Sequence, residues 1–180
     1  MKSADKVNVN EAKAIAATVV KIYELNTSHF SPTQTLGVIV PYRNQIAAVR
    51  QALEPYGIAA LRDITVDTVE RYQGSQRDYI LYGFTVQQRY QLRFLTEHVF
   101  EEEGSLIDRK LNVAMTRARE HLLLFGNPEL LSADVVFGRL IAYNQRNGNF
   151  VQVSLDDFVK GHFSLSDVEK QYKADSFCSF

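Results

Sequence analysis

Cysteine is almost absent from this chain of 180 residues: the one copy, Cys178, stands third from the end. No disulfide can close within the chain, and no Cys/His cluster has zinc spacing; the four histidines (His29, His98, His121, His162) are scattered. Charge of one sign is also missing. The formal net charge is −1, so no global field draws in nucleic acid or an anionic membrane, and a nucleic-acid role needs a local basic surface. No signal peptide is visible, nor an apolar run long enough to cross a membrane, so a cytoplasmic protein with no membrane partner is expected.

The usual phosphate loops are missing too. None of the nine glycines is followed by lysine, so G-x-x-x-x-G-K-[ST] does not occur, and neither does G-x-G-x-x-G. No buried strand ends in an acidic pair that would hold magnesium, and there is no H-E-x-x-H and no G-x-S-x-G elbow. By itself the chain is expected neither to bind magnesium–ATP strongly nor to hydrolyse it.

What is present is an ordinary soluble composition, 46% hydrophobic and 23% charged, enough to bury a core in one domain. All twelve arginines lie between Arg43 and Arg146, a span that holds a single lysine, Lys110. Arginine presents a rigid fork that matches phosphate or carboxylate, although surface ion pairs are the plainer use.

Residues 10–25 have helical spacing (Ala12, Ile15, Val19, Ile22, Tyr23) with Asn10 as the expected N-cap. LGVIV (36–40) is the continuous apolar run of a strand buried on both faces, closed by Pro41. A helix is expected over 44–56, stopped by Gly57. ITVDTV (64–69), DYILYGF (78–84) and HLLLFG (121–126) read as strands. The polar stretch 86–104, with its acidic run Glu101–Glu103, reads as a loop or mobile helix. Helices are expected over 106–118 and from Pro128 to about Asn147, and Phe150, Val151 and Val153 suggest one more strand. This alternation predicts an α/β fold with a mainly parallel sheet flanked by helices.

Three segments carry candidate chemistry. In GVIVPYRNQ (37–45), Tyr42 and Arg43 emerge at a strand tip, a flat ring for a base and a fork for a phosphate; a plain turn around Pro41 is the alternative. In VDTVERYQGSQRDYI (66–80), Gln73 and Gly74 lie between two strands, where glycine lets the backbone approach a ligand and glutamine can orient water or bridge a phosphate; an ordinary polar turn is the alternative. In LNVAMTRARE (111–120), Arg117 and Arg119 are two apart and cannot both face one ligand on a helix. One is expected to reach the ligand and the other to make a structural contact; solvated arginines that complement the dipole of a helix C-terminus are the alternative, a reasonable one for Arg119. Because ligands gather at the carboxyl ends of open α/β sheets, the three segments are expected to share one face.

In this order the segments resemble motifs IV, V and VI of the superfamily 1 DNA/RNA helicases, in the branch of the nonsense-mediated-decay RNA helicase and the replication helicase–nuclease. GVIVPYRNQ resembles motif IV. TVDTVERYQGSQRDYI resembles motif V, usually V-D-x-x-Q-G-x-E-x-D. DRKLNVAMTRAREHLLLFGN resembles motif VI with its following strand and is the most specific. VNVNEAKAIAATVV (7–20) resembles the helix that opens the second motor domain, so the likeness covers about residues 7–145.

The resemblance implies a second RecA-like domain over 1–148, with a C-terminal extension at 149–180 that is packed or partly disordered. Its partner would be the first RecA-like domain of a longer protein, which supplies the phosphate loop and the carboxylates for ATP and Mg2+. It implies that Arg117 is the arginine finger and that Tyr42 lies against the adenine with Arg43 near the γ-phosphate. It implies that Gln73 and Gly74 couple nucleotide to nucleic acid, and that Thr65 touches the backbone of single-stranded DNA or RNA. Gln76 stands where motif V has glutamate; it keeps a hydrogen bond to the nucleotide and loses the charge. The implied motor runs 5′ to 3′. The rivals are a degenerate RecA-like interaction module that hydrolyses nothing and a helicase–nuclease fusion with its nuclease outside this chain.

Overall fold

The structure, a computed structural model, describes residues 6–160 apart from 73–74, 97–98, 103–104, 148–149 and 153; for 99–102 and 105–107 it describes the backbone alone. Four strands, β1 (Leu36–Val40), β2 (Thr65–Thr68), β3 (Arg77–Gly83) and β6 (Ala118–Phe125), form one sheet in the order β2-β1-β3-β6, all parallel. A separate antiparallel hairpin pairs β4 (Val99–Glu102) with β5 (Ser105–Asp108).

Side chains alternate across the sheet as strand geometry requires, and each face has its own core. Leu36, Val38, Val40 and Leu81 pack on one side with α1 (Val9–Leu25) and α2 (Arg43–Leu53) through Ile15, Val19, Ile22, Val49 and Leu53. Ile39, Ile80 and Tyr82 pack on the other side. They meet α3 (Arg89–Thr96), α4 (Arg109–Met115), α5 (Pro128–Leu131) and α6 (Val135–Arg146) through Leu92, Leu111, Ala114, Leu131 and Phe137. The chain is thus a three-layer α/β/α domain, as the alternation of elements predicts.

Several boundaries differ from expectation. The cap of α1 is Asn8, not Asn10: its side chain accepts from the Glu11 backbone N–H at 3.1 Å, so the helix starts at Val9. Helix α2 gives way at Glu54 to a 3-10 turn ending in the left-handed Gly57. The stretch 86–104 is not one loop or mobile helix. It holds α3, whose start is closed by the Gln91 side chain accepting from the Gln87 and Gln88 backbone N–H groups, and then β4.

The helix expected over 106–118 is shorter. Asp108 accepts from the Leu111 N–H at 2.7 Å and starts α4 after a strand. The helix ends at Met115, where the Thr116 hydroxyl donates back to the Val113 carbonyl. Strand β6 begins correspondingly early, at Ala118. The single helix expected after Pro128 is split into α5 and α6, with Asp134 capping the second. No strand forms at Phe150 and Val151; Val153 lies outside the described residues. A short helix, α7 (Leu155–Val159), packs instead against α1. Residues 161–180 lie outside the described residues.

Candidate functional site

The structure separates segments that the sequence reading places on one face. Tyr42 and Arg43 follow Pro41 at the carboxyl end of β1, Tyr42 half-buried as the N-cap residue of α2 and Arg43 exposed in its first turn. Thr65, Gln76 and Arg117 lie at the opposite edge, at or just before the amino ends of β2, β3 and β6. The expectation of a shared carboxyl edge is therefore corrected. Strand β1 runs five residues between the two edges, about 16 Å. The physical reason is the path of the chain: after β2 it must return to the amino edge before β3 can run parallel, and α4 does the same before β6. Gln73 and Gly74 fall in that return and lie outside the described residues.

Backbone and side-chain contacts bind the amino edge together. The Arg77 N–H donates to the Arg117 carbonyl at 2.9 Å. Gln76 Nε2 donates to the Thr116 carbonyl at 3.3 Å. Arg77, 8% exposed, donates through Nη1 to the Gln76 carbonyl at 2.8 Å and through Nη2 to Thr65 Oγ1 at 3.2 Å. Its guanidinium lies 5.7 Å from the centroid of the buried Tyr72 ring. Tyr72 reaches this spot because residue 37 is glycine: a Cβ there would stand 1.6 Å from the Tyr72 hydroxyl. Burial pushes the Tyr72 phenol up from its ordinary range, against the pull of the Arg77 charge.

This cluster is polar and incompletely satisfied. Tyr72 Oη, Arg77 Nε and Arg117 Nε are buried without a hydrogen-bond partner, and no ion pair among the described residues involves Arg77 or Arg117. Buried donors in native proteins are nearly always satisfied, so unfilled ones call for an explanation. Donors with positive charge and no acid fit an anion such as a phosphoryl group. The donor set does not fit a metal, and no group of acidic, histidine or cysteine residues among the described residues could hold one. Arg119 does not end a helix but stands in β6, where it pairs with Asp78 at 3.2 Å.

The opposite edge holds a network the sequence reading missed. Glu11 is 6% exposed, in the first turn of α1. It accepts from the Thr85 backbone N–H at 2.9 and 3.0 Å, from Thr85 Oγ1 at 3.1 Å and from Gln45 Nε2 at 3.4 Å. Thr85 has φ 57, left-handed for a β-branched residue. Burial drives the Glu11 carboxyl up to about 8, against these donors, which hold it down.

A family model described as "AAA domain" matches residues 1–129. The chain belongs to that family. Among its relatives are "Regulator of nonsense transcripts 1" of Dictyostelium discoideum, 30% identical over 92% of this chain and 12% of its own length, and "Helicase sen1" of Schizosaccharomyces pombe, 37% identical over 61% and 6%. The human "RNA helicase Mov10l1" is 35% identical over 67% of the chain and 9% of its own length. Within the AAA family the chain is a RecA-like domain of the superfamily 1 helicases, in the nonsense-decay branch. It spans 12% or less of the length of these three relatives. The helicase domain thus presents two unlike edges: a basic, unfinished one around Arg117 and one closed over Glu11. Neither Arg77 nor Glu11 stands out in the sequence; Arg77 occupies a free position of motif V, and Glu11 reads as a solvated acid in a helix's first turn.

Proposed function

We propose that this domain is the second motor half of an ATP-dependent helicase and that Arg117 is its arginine finger. The observation that carries the reading is Arg117 itself. It leaves the α4–β6 junction inside the motif VI match, its Nε is buried and unpartnered, and no carboxylate among the described residues pairs with it. A group in that state is ready for a phosphoryl oxygen supplied from outside. When ATP and Mg2+ are held by a first RecA-like domain of a longer protein, Arg117 supplies positive charge to the transferring phosphoryl group as its negative charge spreads.

The chain's other residues hold and orient. Gln76 stands beside Arg117 and offers a hydrogen bond to the nucleotide, and Gln73 and Gly74, just before it in the sequence, couple nucleotide to nucleic acid. Tyr42, half-buried at the far end of β1, offers a ring face to adenine, and Arg43 a fork beside it. Thr65 Oγ1, which accepts from Arg77, offers a hydroxyl to a phosphate of single-stranded DNA or RNA. Contacts of that kind grip the backbone without reading sequence and weaken with salt. The family resemblance supports a 5′ to 3′ direction for this motor, and the missing phosphate loop supports an isolated second half that does not turn over ATP.

The test is nucleic-acid-stimulated ATP hydrolysis by the longer protein, wild type beside Arg117→Ala. The expected result is a loss of roughly 10³-fold or more in kcat with ATP binding retained. Hydrolysis unaffected by the substitution, or absent from the wild type, would leave the interaction-module reading in its place.

A further inference from the structure

Arg77 is a buried cation that pairs with no acid among the described residues. Such a charge costs stability unless its donors are matched, and here one donor, Nε, is unmatched. It is also out of phase with its strand. The β3–β6 register shifts between Arg77 and Tyr79, and while Tyr79 packs with the α1 side, the Arg77 Cγ lies 3.3 Å from a Cβ built on Gly37, among the side chains of the α4 side. A bulge at the start of a strand re-aims a side chain in this way. Once there, the guanidinium fork holds Thr65 and the Gln76 carbonyl while the same residue's N–H holds the Arg117 carbonyl.

We propose that Arg77 is a positioning residue for Arg117: its fork over Tyr72 fixes the amino edge of the sheet, so that Arg117 meets the transferring phosphoryl group in register. This rests on the finger reading of Arg117 and adds to it the element that aims the finger. The coupling is local and physical. Losing the fork frees the Gln76–Arg77 backbone, and with it the hydrogen bond that the Arg77 N–H gives the Arg117 carbonyl. A misplacement of about an ångström at a catalytic group is enough to cost roughly 10²-fold in rate.

The experiment is a double-mutant cycle in the longer protein that carries the phosphate-binding domain, read as kcat and KM for ATP. Arg77→Met is expected to lower kcat roughly 10- to 100-fold with KM for ATP nearly unchanged. Arg77→Lys keeps the charge but cannot span carbonyl and hydroxyl together, so it recovers only part of the rate. The variant carrying both Arg77→Met and Arg117→Ala is expected to be no slower than Arg117→Ala alone, because Arg77 acts through Arg117. Thr65→Val, assayed at saturating nucleic acid so that its proposed backbone contact does not limit the rate, removes one acceptor and leaves the charge in place; it is expected to cost about threefold, again only when Arg117 is present. If Arg77→Met does not fold, Arg77→Lys and Thr65→Val, each crossed with Arg117→Ala, decide in its place. Losses that multiply in the double variants, a change confined to KM, or full rate in the Arg77 variants overturns the inference while a slow Arg117→Ala still upholds the finger. An Arg117→Ala enzyme as fast as wild type sinks the finger first and the aiming role with it.

Discussion

The two edges of the sheet handle buried polarity in opposite ways. At the carboxyl edge, Glu11 is surrounded by donors from its own chain: Thr85 gives its N–H and hydroxyl, Gln45 its amide. At the amino edge, Arg77, Arg117 and Tyr72 bring positive charge and donors together and leave three of their atoms unmatched. Glu11, which serves the fold, has its carboxylate filled from within. A polar group that serves a ligand is left for the ligand to finish, because a site already satisfied gains nothing on binding. The contrast points away from the carboxyl ends of the strands, where open α/β sheets usually place their ligands, and toward the side where motifs V and VI come back to the sheet.

The widest expected gap lies between two arginines on these two edges. Arg117→Ala is expected to cost roughly 10³-fold in turnover. Arg43→Ala, at the exposed start of α2 beyond the far end of β1, is expected to cost less than about tenfold, in line with one displaced binding contact. Parallel kcat measurements on the two variants of the longer protein check this. Equal losses would mean that the carboxyl edge carries as much of the turnover as the amino edge and that the comparison is drawn in the wrong place.

The second test concerns the closed edge. Glu11 has its folded pKa raised from 4.5 to about 8. The folded state therefore binds a proton that the unfolded chain gives up, and stability falls as pH rises from 4.5 to about 8, then levels off. The decline is of the order of a few kcal/mol. Glu11→Gln, which cannot ionise, is expected to flatten that slope. Urea unfolding midpoints from pH 5 to 9 for the two proteins check it, and an unchanged slope would show that Glu11 is ionised in the fold throughout.

Much of this was legible in the sequence and some could not be. Strands β1 and β3 announced themselves as apolar runs, and Pro41 and Gly57 punctuated the chain where expected. The 106–118 stretch misled because Leu106, Ile107 and Leu111 fit a helix as well as a strand; the deciding feature is the Asp108 cap, which is clear only once α4 is seen to start there. Arg77 was illegible for a stronger reason. Its burial depends on a register shift and on a ring from another segment lying over Gly37, and no local pattern encodes contacts between residues 35 or 40 apart. Glu11 was hidden in the same way, its partner Thr85 lying 74 residues on.

A smaller effect probes how the amino edge is built. Gly37→Ala places a methyl where the Tyr72 hydroxyl sits, so the ring must move and loosen its stack with Arg77. Overpacking of this kind typically costs about 1–3 kcal/mol. Thermal unfolding is expected to show that loss. Pairing the substitution with Tyr72→Phe, which removes the clashing oxygen, is expected to restore part of it. No recovery would mean that the backbone, not the ring, resists the methyl.

The smallest expected effect is at Arg119, two residues from the proposed finger. Its partner Asp78 is 3.2 Å away, and their side chains are 47% and 33% exposed, so water and salt screen the pair. Arg119→Ala is expected to cost no more than about 1 kcal/mol in unfolding free energy and to leave turnover unaltered in the longer protein. The two arginines have the same chemistry and leave the same strand end; they differ in that Arg119 has an acid to meet and Arg117 has none among the described residues. If Arg119→Ala slows turnover as much as Arg117→Ala does, the absence of an internal partner is not what marks the functional arginine, and the distinction between a finished and an unfinished edge fails at its closest comparison.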